Sequence, residues 1–249
     1  MSELHISVAP EKIAHIGGLT ITNSLLTSLI VMVILLLVAY KVNLQKEKPL
    51  KKRGTFYLLF EMAIEGFYNF FKNVAGERVD ILFPLLFTFF IFIIMGNWIG
   101  LLPGVGSIGF WEHTERGEMF VPFLRGPNAD LNTTLALALV SVGVTQQMSI
   151  KALGFKKYVG RFINFKNPIN LFVGILEIVS EFAKIISFSF RLFGNIFAGE
   201  VLLSVMVFLI PVLVPVPFLA LEVFVGFIQA LVFTMLTTIF IVVATQEHH

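Results

Sequence analysis

The feature that most constrains this chain is a set of apolar runs long enough to cross a lipid bilayer. A helix needs about 20 predominantly apolar residues for that crossing. Four segments satisfy this outright: 20–40, 81–102, 131–150 and 218–244. The second, "ILFPLLFTFFIFIIMGNWIGLL", holds no ionisable side chain. Charged residues make up 14% of the 249 and hydrophobic ones 57%, whereas a soluble domain has about a quarter of its residues charged. Too little polar surface exists to cover a globule in water. The expected fold is therefore an all-α integral membrane protein, and with no internal repeat or low-complexity linker, 1–249 reads as a single membrane domain.

Several classes of function fall away. There is no cysteine, which excludes disulfides, thiolate metal sites and thiol nucleophiles. His5, His15, His113, His248 and His249 lie in tails or loops without metal-ligand spacing, so no metal is assigned. The net charge is only +2 and the basic residues are grouped, which does not suggest a nucleic-acid partner. No GxxxxGK[ST] phosphate loop occurs; no cofactor is expected, nor any catalytic residue. The opening "MSELHISVAPEKIAHIGG" lacks the basic stretch and apolar core of a cleaved signal.

Basic loops face the cytoplasm. Lys41, Lys46, Lys48, Lys51, Lys52 and Arg53 stand against Glu47 in the first loop, and Lys151, Lys156, Lys157, Arg161 and Lys166 stand unopposed in another. The connection 103–130 is acidic instead, with Glu112, Glu115, Glu118 and Asp130 against Arg116 and Arg125, so it is placed outside. For these signs to hold, residues 54–78 must stay on the cytoplasmic surface. Phe56, Phe60, Ile64, Phe67 and Phe71 share one helical face, and Glu61, Glu65, Asn69 and Lys72 another, the pattern of an amphipathic interfacial helix. Five spans result, with the N-terminus outside and the C-terminus cytoplasmic.

The fifth span is the unusual one. Residues 168–210 run without an internal proline, and as one helix would extend about 64 Å, twice the hydrocarbon thickness. A steep tilt relieves such a mismatch, and the proline-rich 211–217 turns the last span back antiparallel. Glu177, Glu181, Lys184, Arg191 and Asn195 recur at helical spacing on one face, with Arg191 near the midpoint. Glu200 lies nine residues further, about two and a half turns away, and so points to the opposite side from Arg191. No acid stands three or four residues from Arg191; its counter-charge must come from another helix or subunit. Intramembrane ionisable groups mark ion pathways. On the last span Glu222 and Gln229 share a face, with Gln229 at the depth of Arg191 and Glu222 nearer Glu200. Glu181 and Lys184 read equally well as a neutralised structural pair. For Asn132, Thr133, Ser141, Thr145 and Gln146 helix packing is the stronger reading, and Asp130 is either part of an outer entrance or a solvated loop acid.

The stretch "SFRLFGNIFAGE" at 189–200 resembles the signature of subunit a of the F-type rotary ATP synthase, the stationary ion-channel subunit of the membrane sector. "NWIGLLPG" at 97–104, "ADLNTTLALAL" at 129–139 and "FIQALVFTML" at 227–236 are similar too, and stand in the right order. This resemblance implies that Arg191 is the essential arginine facing a rotating ring of c subunits, with Asn195 and Gln229 beside it. It implies that Glu200 and Glu222 belong to a half-channel open to the outside, and that Glu177, with Glu181 near it, lies toward the cytoplasmic exit. An ion, H+ or Na+, would load a c-ring carboxylate from one path and leave by the other, with ATP chemistry on other subunits. Partners implied are the c-ring, subunit b of the peripheral stalk and the lipid membrane, in a bacterial inner (plasma) membrane. Many relatives carry histidine where Glu222 stands, which puts an imidazole relay in doubt. The alternatives are a small secondary anion transporter that uses Arg191 as its substrate-binding charge, and a scaffold subunit that uses it as an assembly contact.

Overall fold

Helix dominates because every backbone polar group in hydrocarbon must find its partner inside the same segment. The computed structural model describes residues 7–16, 18–46, 54–114, 117–162, 168–210 and 214–245. Seven α-helices are present among them: α1 Asn23–Lys46, α2 Thr55–Ala75, α3 Val79–Ile99, α4 Leu131–Leu153, α5 Phe155–Phe162, α6 Pro168–Leu209 and α7 Pro215–Ala244. Five helical stretches are long and apolar enough to cross a membrane; one of them is α2 and α3 taken together, joined by a single 3-10 turn at Gly76–Arg78. α6 is continuous over 42 residues, about 63 Å at the standard rise. α7 begins three residues before the apolar run 218–244, because Pro215 and Pro217 sit in its first turn, where proline lacks no needed N–H.

Two short antiparallel hairpins, which the apolar periodicity did not announce, join the helices: β1 (Lys12–Ile16) with β2 (Leu19–Thr22), and β3 (Gly109–Thr114) with β4 (Gly117–Pro122). The first leads straight into α1, where the Thr22 hydroxyl accepts from Leu25 N at 3.3 Å. The second lies within the acidic connection of residues 100–130. The basic segment after α4 holds the eight-residue, roughly two-turn α5 rather than a plain loop.

Helix pairing fixes the register. Phe188 meets Phe233 (centroids 5.0 Å) and Phe240 (5.4 Å), and the Glu222 carboxylate lies against Gly199. Low numbers on α6 thus face high numbers on α7, so the two run antiparallel. α3 also runs antiparallel to α7, with Asn97 Nδ2 donating to Gly226 O at 2.8 Å and Phe89 stacked edge-on to Phe233 at 5.5 Å. α4 runs parallel to α7, joined by Ser141 Oγ and Thr237 Oγ1 (2.8 Å) and by Ser149 Oγ donating to Ala244 O (2.8 Å). Phe89, Phe90, Ile93, Ala138, Phe188, Leu192, Ala230 and Phe233 form the central core.

The hydroxyls along α7 explain how polar residues fit this core. Thr234, Thr237 and Thr238 donate to Ala230 O, Phe233 O and Thr234 O at 2.7–2.9 Å. Each hydroxyl is satisfied by its own helix. α2 doubles back on α3: Phe67 touches Phe90 (4.0 Å) and Phe87 (6.2 Å), Phe60 touches Phe87 (6.1 Å), and Phe71 is fully buried. Glu65, Asn69 and Lys72 are exposed, but so is Phe56, so the two faces seen in the sequence separate into a packed and a free side only from Phe60 onward. α1 is peripheral, burying only Asn23, Ser24, Thr27 and Val31 in its first turns.

Candidate functional site

The bundle has two ends, an upper one carrying the connection 100–130 and a lower one carrying α5. The polar residues of α6 and α7 separate into an upper group, a lower group and a middle.

At the upper end, a cavity of about 540 Å³ is bounded by α3, α6, α7, the N-terminal segment and the loop before α4. Glu200 and Glu222 both line it. The antiparallel register brings them together: α6 exposes Gly199 at the point where α7 presents Glu222, and a Cβ on Gly199 would collide with the Glu222 carboxylate. Glu222 is 7% exposed, and no hydrogen bond or ion pair is made to its carboxylate by the described residues. Glu200 is different. Arg125 Nε approaches it at 3.2–3.3 Å and Nη2 at 3.3 Å.

Arg125 read, by sequence, as one of two bases in an acidic loop; the structure buries it at 6% exposure. Its Nη1 donates to Ala9 O (3.1 Å) and its Nη2 to Ser7 O (2.9 Å), while its guanidinium stands 5.9 Å from the Phe197 ring centre. Every arm of the fork is engaged, which is what a buried guanidinium requires. No periodicity could have marked this residue. Its only signal was its place just before the Gly126–Pro127 turn that leads into α4.

Asp130 is likewise not a solvated acid. It is 4% exposed and caps α4, accepting from Asn132 N at 2.9 Å and from Ser24 Oγ at 2.6 Å. A carboxylate at a helix N-terminus satisfies the free N–H groups and the dipole. Beside it, Asn128 Nδ2 donates to Asn97 Oδ1 (2.7 Å) and Ile93 O (3.1 Å), tying the turn to α3.

The lower end holds a second cluster. Glu177 pairs with Arg161 of α5. Glu181 accepts from Lys184 Nζ at 2.6 Å and from Gln146 Nε2 at 2.6 Å, and Tyr158 Oη donates to Gln146 Oε1 at 3.0 Å. The Glu181–Lys184 pair anticipated as one of two readings thus exists, with Lys184 Nζ also 4.9 Å from the Phe240 ring centre. Among the third-span residues, Gln146 serves this network while Ser141 and Thr145 serve packing. Burial pushes the Tyr158 phenol up, with the Glu181 charge adding to it and Arg161 opposing, so it stays a neutral donor. α5 can approach because α6 presents Gly174 beneath it; a Cβ there would strike the Phe162 carbonyl.

Arg191 stands between the two clusters. It is exposed on α6, and its one side-chain hydrogen bond among the described residues is a long one, 3.4 Å from Nη2 to Ser187 Oγ. No carboxylate of the described residues lies within ion-pair distance of it. Asn195, also exposed, donates to Arg191 O at 2.9 Å. Since 188 faces 233 and 199 faces 222, Arg191 is level with positions near 230, which puts the half-buried Gln229 at its depth. Ser180, Ala183, Ser187 and Ala198 share the exposed face with Arg191 and Asn195. This face is small, polar and singly charged, while the rest of the exposed α6 surface is large and apolar, as at Phe172, Phe182, Ile186 and Phe190.

The family model described as "ATP synthase A chain" matches residues 25–242. Curated relatives called ATP synthase subunit a include those of Desulforamulus reducens, 34% identical over 93% of this chain and 82% of the relative, and Moorella thermoacetica, 30% identical over 97% and 99%. A chloroplastic subunit a from Bigelowiella natans is 36% identical over 91% of this chain and 87% of its own. A match running from α1 to the end of α7, with relatives aligned over nearly their whole length, means that this multi-pass membrane chain belongs to the ATP synthase subunit a family.

Proposed function

We propose that the chain is the stator ion-channel subunit of an ATP synthase membrane sector, supplying two offset half-paths to a ring of c subunits. The observation that carries this reading is the isolation of Arg191. A guanidinium within the membrane costs several kcal/mol unless it is paired, yet nothing described in its own chain neutralises it, and it lies on an exposed face of small side chains. The counter-charge is then a c-ring carboxylate, renewed at each step of rotation. The upper cavity with Glu200 and Glu222 is the path from outside; the lower cluster of Glu177 and Glu181 is the path to the cytoplasm.

An ion, H+ or Na+, enters by the upper path and neutralises a ring carboxylate, which can then move into lipid. After nearly a full turn the site meets the lower path and releases the ion. A guanidinium does not hand on its proton, so Arg191 acts as a fixed charge and not as a relay. It attracts the ionised ring site and blocks direct passage between the paths, with Asn195 and Gln229 as polar neighbours at its depth. Each charge crossing about 100 mV releases about 2.3 kcal/mol to drive rotation. ATP chemistry belongs to other subunits, and subunit b of the peripheral stalk holds the chain still.

The membrane is a plasma membrane, with the upper end outside, the C-terminus cytoplasmic and α2 along the cytoplasmic interface. α6, at 42 residues, is about twice the hydrocarbon thickness and lies oblique together with α7. The test is Arg191→Lys in the assembled complex. Loss of ion-driven ATP synthesis, with c-ring and stalk still co-purifying, is expected. Normal coupled synthesis in that variant would refute the reading.

A further inference from the structure

Among the described residues Arg125 is the cation paired with an acid of the upper cavity, and the two half-paths give it no task. The ionisable groups lining that cavity, among the described residues, are Glu11, Arg125, Glu200 and Glu222. Glu11 is held by Asn23 Nδ2 at 2.8 Å, leaving Glu200 as the carboxylate that Arg125 grips.

The grip is asymmetric. The contacts of the guanidinium to Ser7 O and Ala9 O are 2.9 and 3.1 Å, and these carbonyls hold the fork whichever way Glu200 turns. The contacts to Glu200 are the longer ones, at 3.2–3.3 Å. The side chain of Glu200 is 41% exposed, against 7% for that of Arg125. The acid is thus open to a second cation while the arginine is fixed. Glu222, buried and without a described partner, waits on the neighbouring helix.

We propose that Arg125 is a resident counter-charge that an incoming cation displaces from Glu200, and that reclaims Glu200 as the cation passes to Glu222. For a proton, hydronium from the outside water gives up one O–H bond as an O–H bond forms on Glu200, and the N–H···O contacts of Arg125 are released. When that proton transfers to the Glu222 carboxylate, Glu200 regains its charge and the guanidinium closes on it. Arg125 keeps both backbone carbonyls throughout. Glu200 therefore serves as a relay instead of a trap, and the N-terminal segment is part of the path because it holds the arginine. Arg125 acts here as a positioning residue. The proposal rests on the ion-path reading of the upper cavity.

The test compares complexes carrying wild-type chain, Arg125→Gln and Arg125→Lys, reconstituted in liposomes with subunit composition verified. ATP synthesis is measured at fixed membrane potential against external pH, with a parallel series in external NaCl. Without a competing guanidinium the acid holds its ion longer. In Arg125→Gln the half-saturating external ion concentration should fall about tenfold, the low end of what an adjacent arginine does to a carboxylate, and the plateau rate should fall with it. Arg125→Lys keeps a displaceable charge without the fork, and should lie between. Wild-type half-saturation and plateau in assembled Arg125→Gln complexes overturn the proposal. Should that variant not assemble, unchanged half-saturation in Arg125→Lys overturns it equally. Arg191→Lys run in parallel separates the two ideas: if it abolishes synthesis while the Arg125 variants behave as wild type, only the role of Arg125 fails.

Discussion

At the scale of residues, this chain sorts its ionisable groups by how completely each is paired. Glu177, Glu181 and Asp130 have partners at hydrogen-bond distance. Glu200 has a partner it can exchange, and Glu222 and Arg191 have no partner carboxylate or cation among the described residues. In a low-dielectric setting an unpaired charge is expensive, so the unpaired positions are where something else must arrive. Gly199 controls one of them, because its missing Cβ leaves the space that the Glu222 carboxylate fills. Gly199→Val should push that carboxylate out of the cavity and lower coupled ATP synthesis by up to about a hundredfold, on the scale of a roughly 1 Å misplacement at a reacting group. Synthesis by reconstituted complexes checks this, and a wild-type rate would show that the position of Glu222 does not matter.

At the scale of elements, the upper end is assembled by turns and caps instead of by apolar packing. Asp130 joins α1, the Pro127 turn and α4 through Ser24 and Asn132, and Asn128 joins the same turn to α3. Asp130→Ala removes the cap of α4 and the 2.6 Å acceptor of the Ser24 hydroxyl, which keeps only the longer contact to Thr22 Oγ1 at 3.1 Å. The cap is worth about 1 kcal/mol and the lost hydrogen bond up to about as much again. Thermal unfolding of the purified complex in detergent should show a lowered midpoint for subunit a. Asp130→Asn, which retains an acceptor oxygen, should recover most of the loss, and equal losses in both variants would exclude the capping account. The same end holds Arg125, whose backbone N donates to Thr27 Oγ1 at 3.2 Å. Loosening α1 should therefore disturb the upper cavity before the lower cluster.

At the scale of the whole molecule, antiparallel α6 and α7, with α4 and α3 beside them, put two polar clusters at opposite ends and one cation between. That arrangement depends on helix register, which paired cysteines can read out because the chain has no cysteine of its own. The hydroxyls of Ser141 and Thr237 are 2.8 Å apart, and those of Thr134 and Ser189 3.2 Å. Cysteines placed where two hydroxyls touch bring their sulfurs to the same meeting point. The pairs Ser141→Cys with Thr237→Cys, and Thr134→Cys with Ser189→Cys, should each oxidise to an intramolecular cross-link, seen as joined fragments after proteolysis. Failure of both would mean that the register of α4 against α6 and α7 is different.

What could be read in one dimension was what one-dimensional patterns carry. Run length gave the membrane class and four spans, spacing gave the shared face of Glu177, Arg191 and Asn195, and the half-turn offset between Arg191 and Glu200 kept them from pairing. Those are properties of a single helix, fixed by 1.5 Å and about 100° per residue. Partner choice was not legible. Glu200 takes an arginine 75 positions away, Asp130 a serine 106 away, and Glu181 a glutamine 35 away. In the sequence Arg125 was only a base counted in an acidic loop, and Asp130 was either part of an outer entrance or a solvated loop acid. Their burial follows from how the N-terminal segment and α1 fold over the turn before α4. Local periodicity decided which residues sit in the membrane; only the packing of helices and loops, where a buried charge must find whichever partner geometry brings within about 3 Å, decided which of them meet.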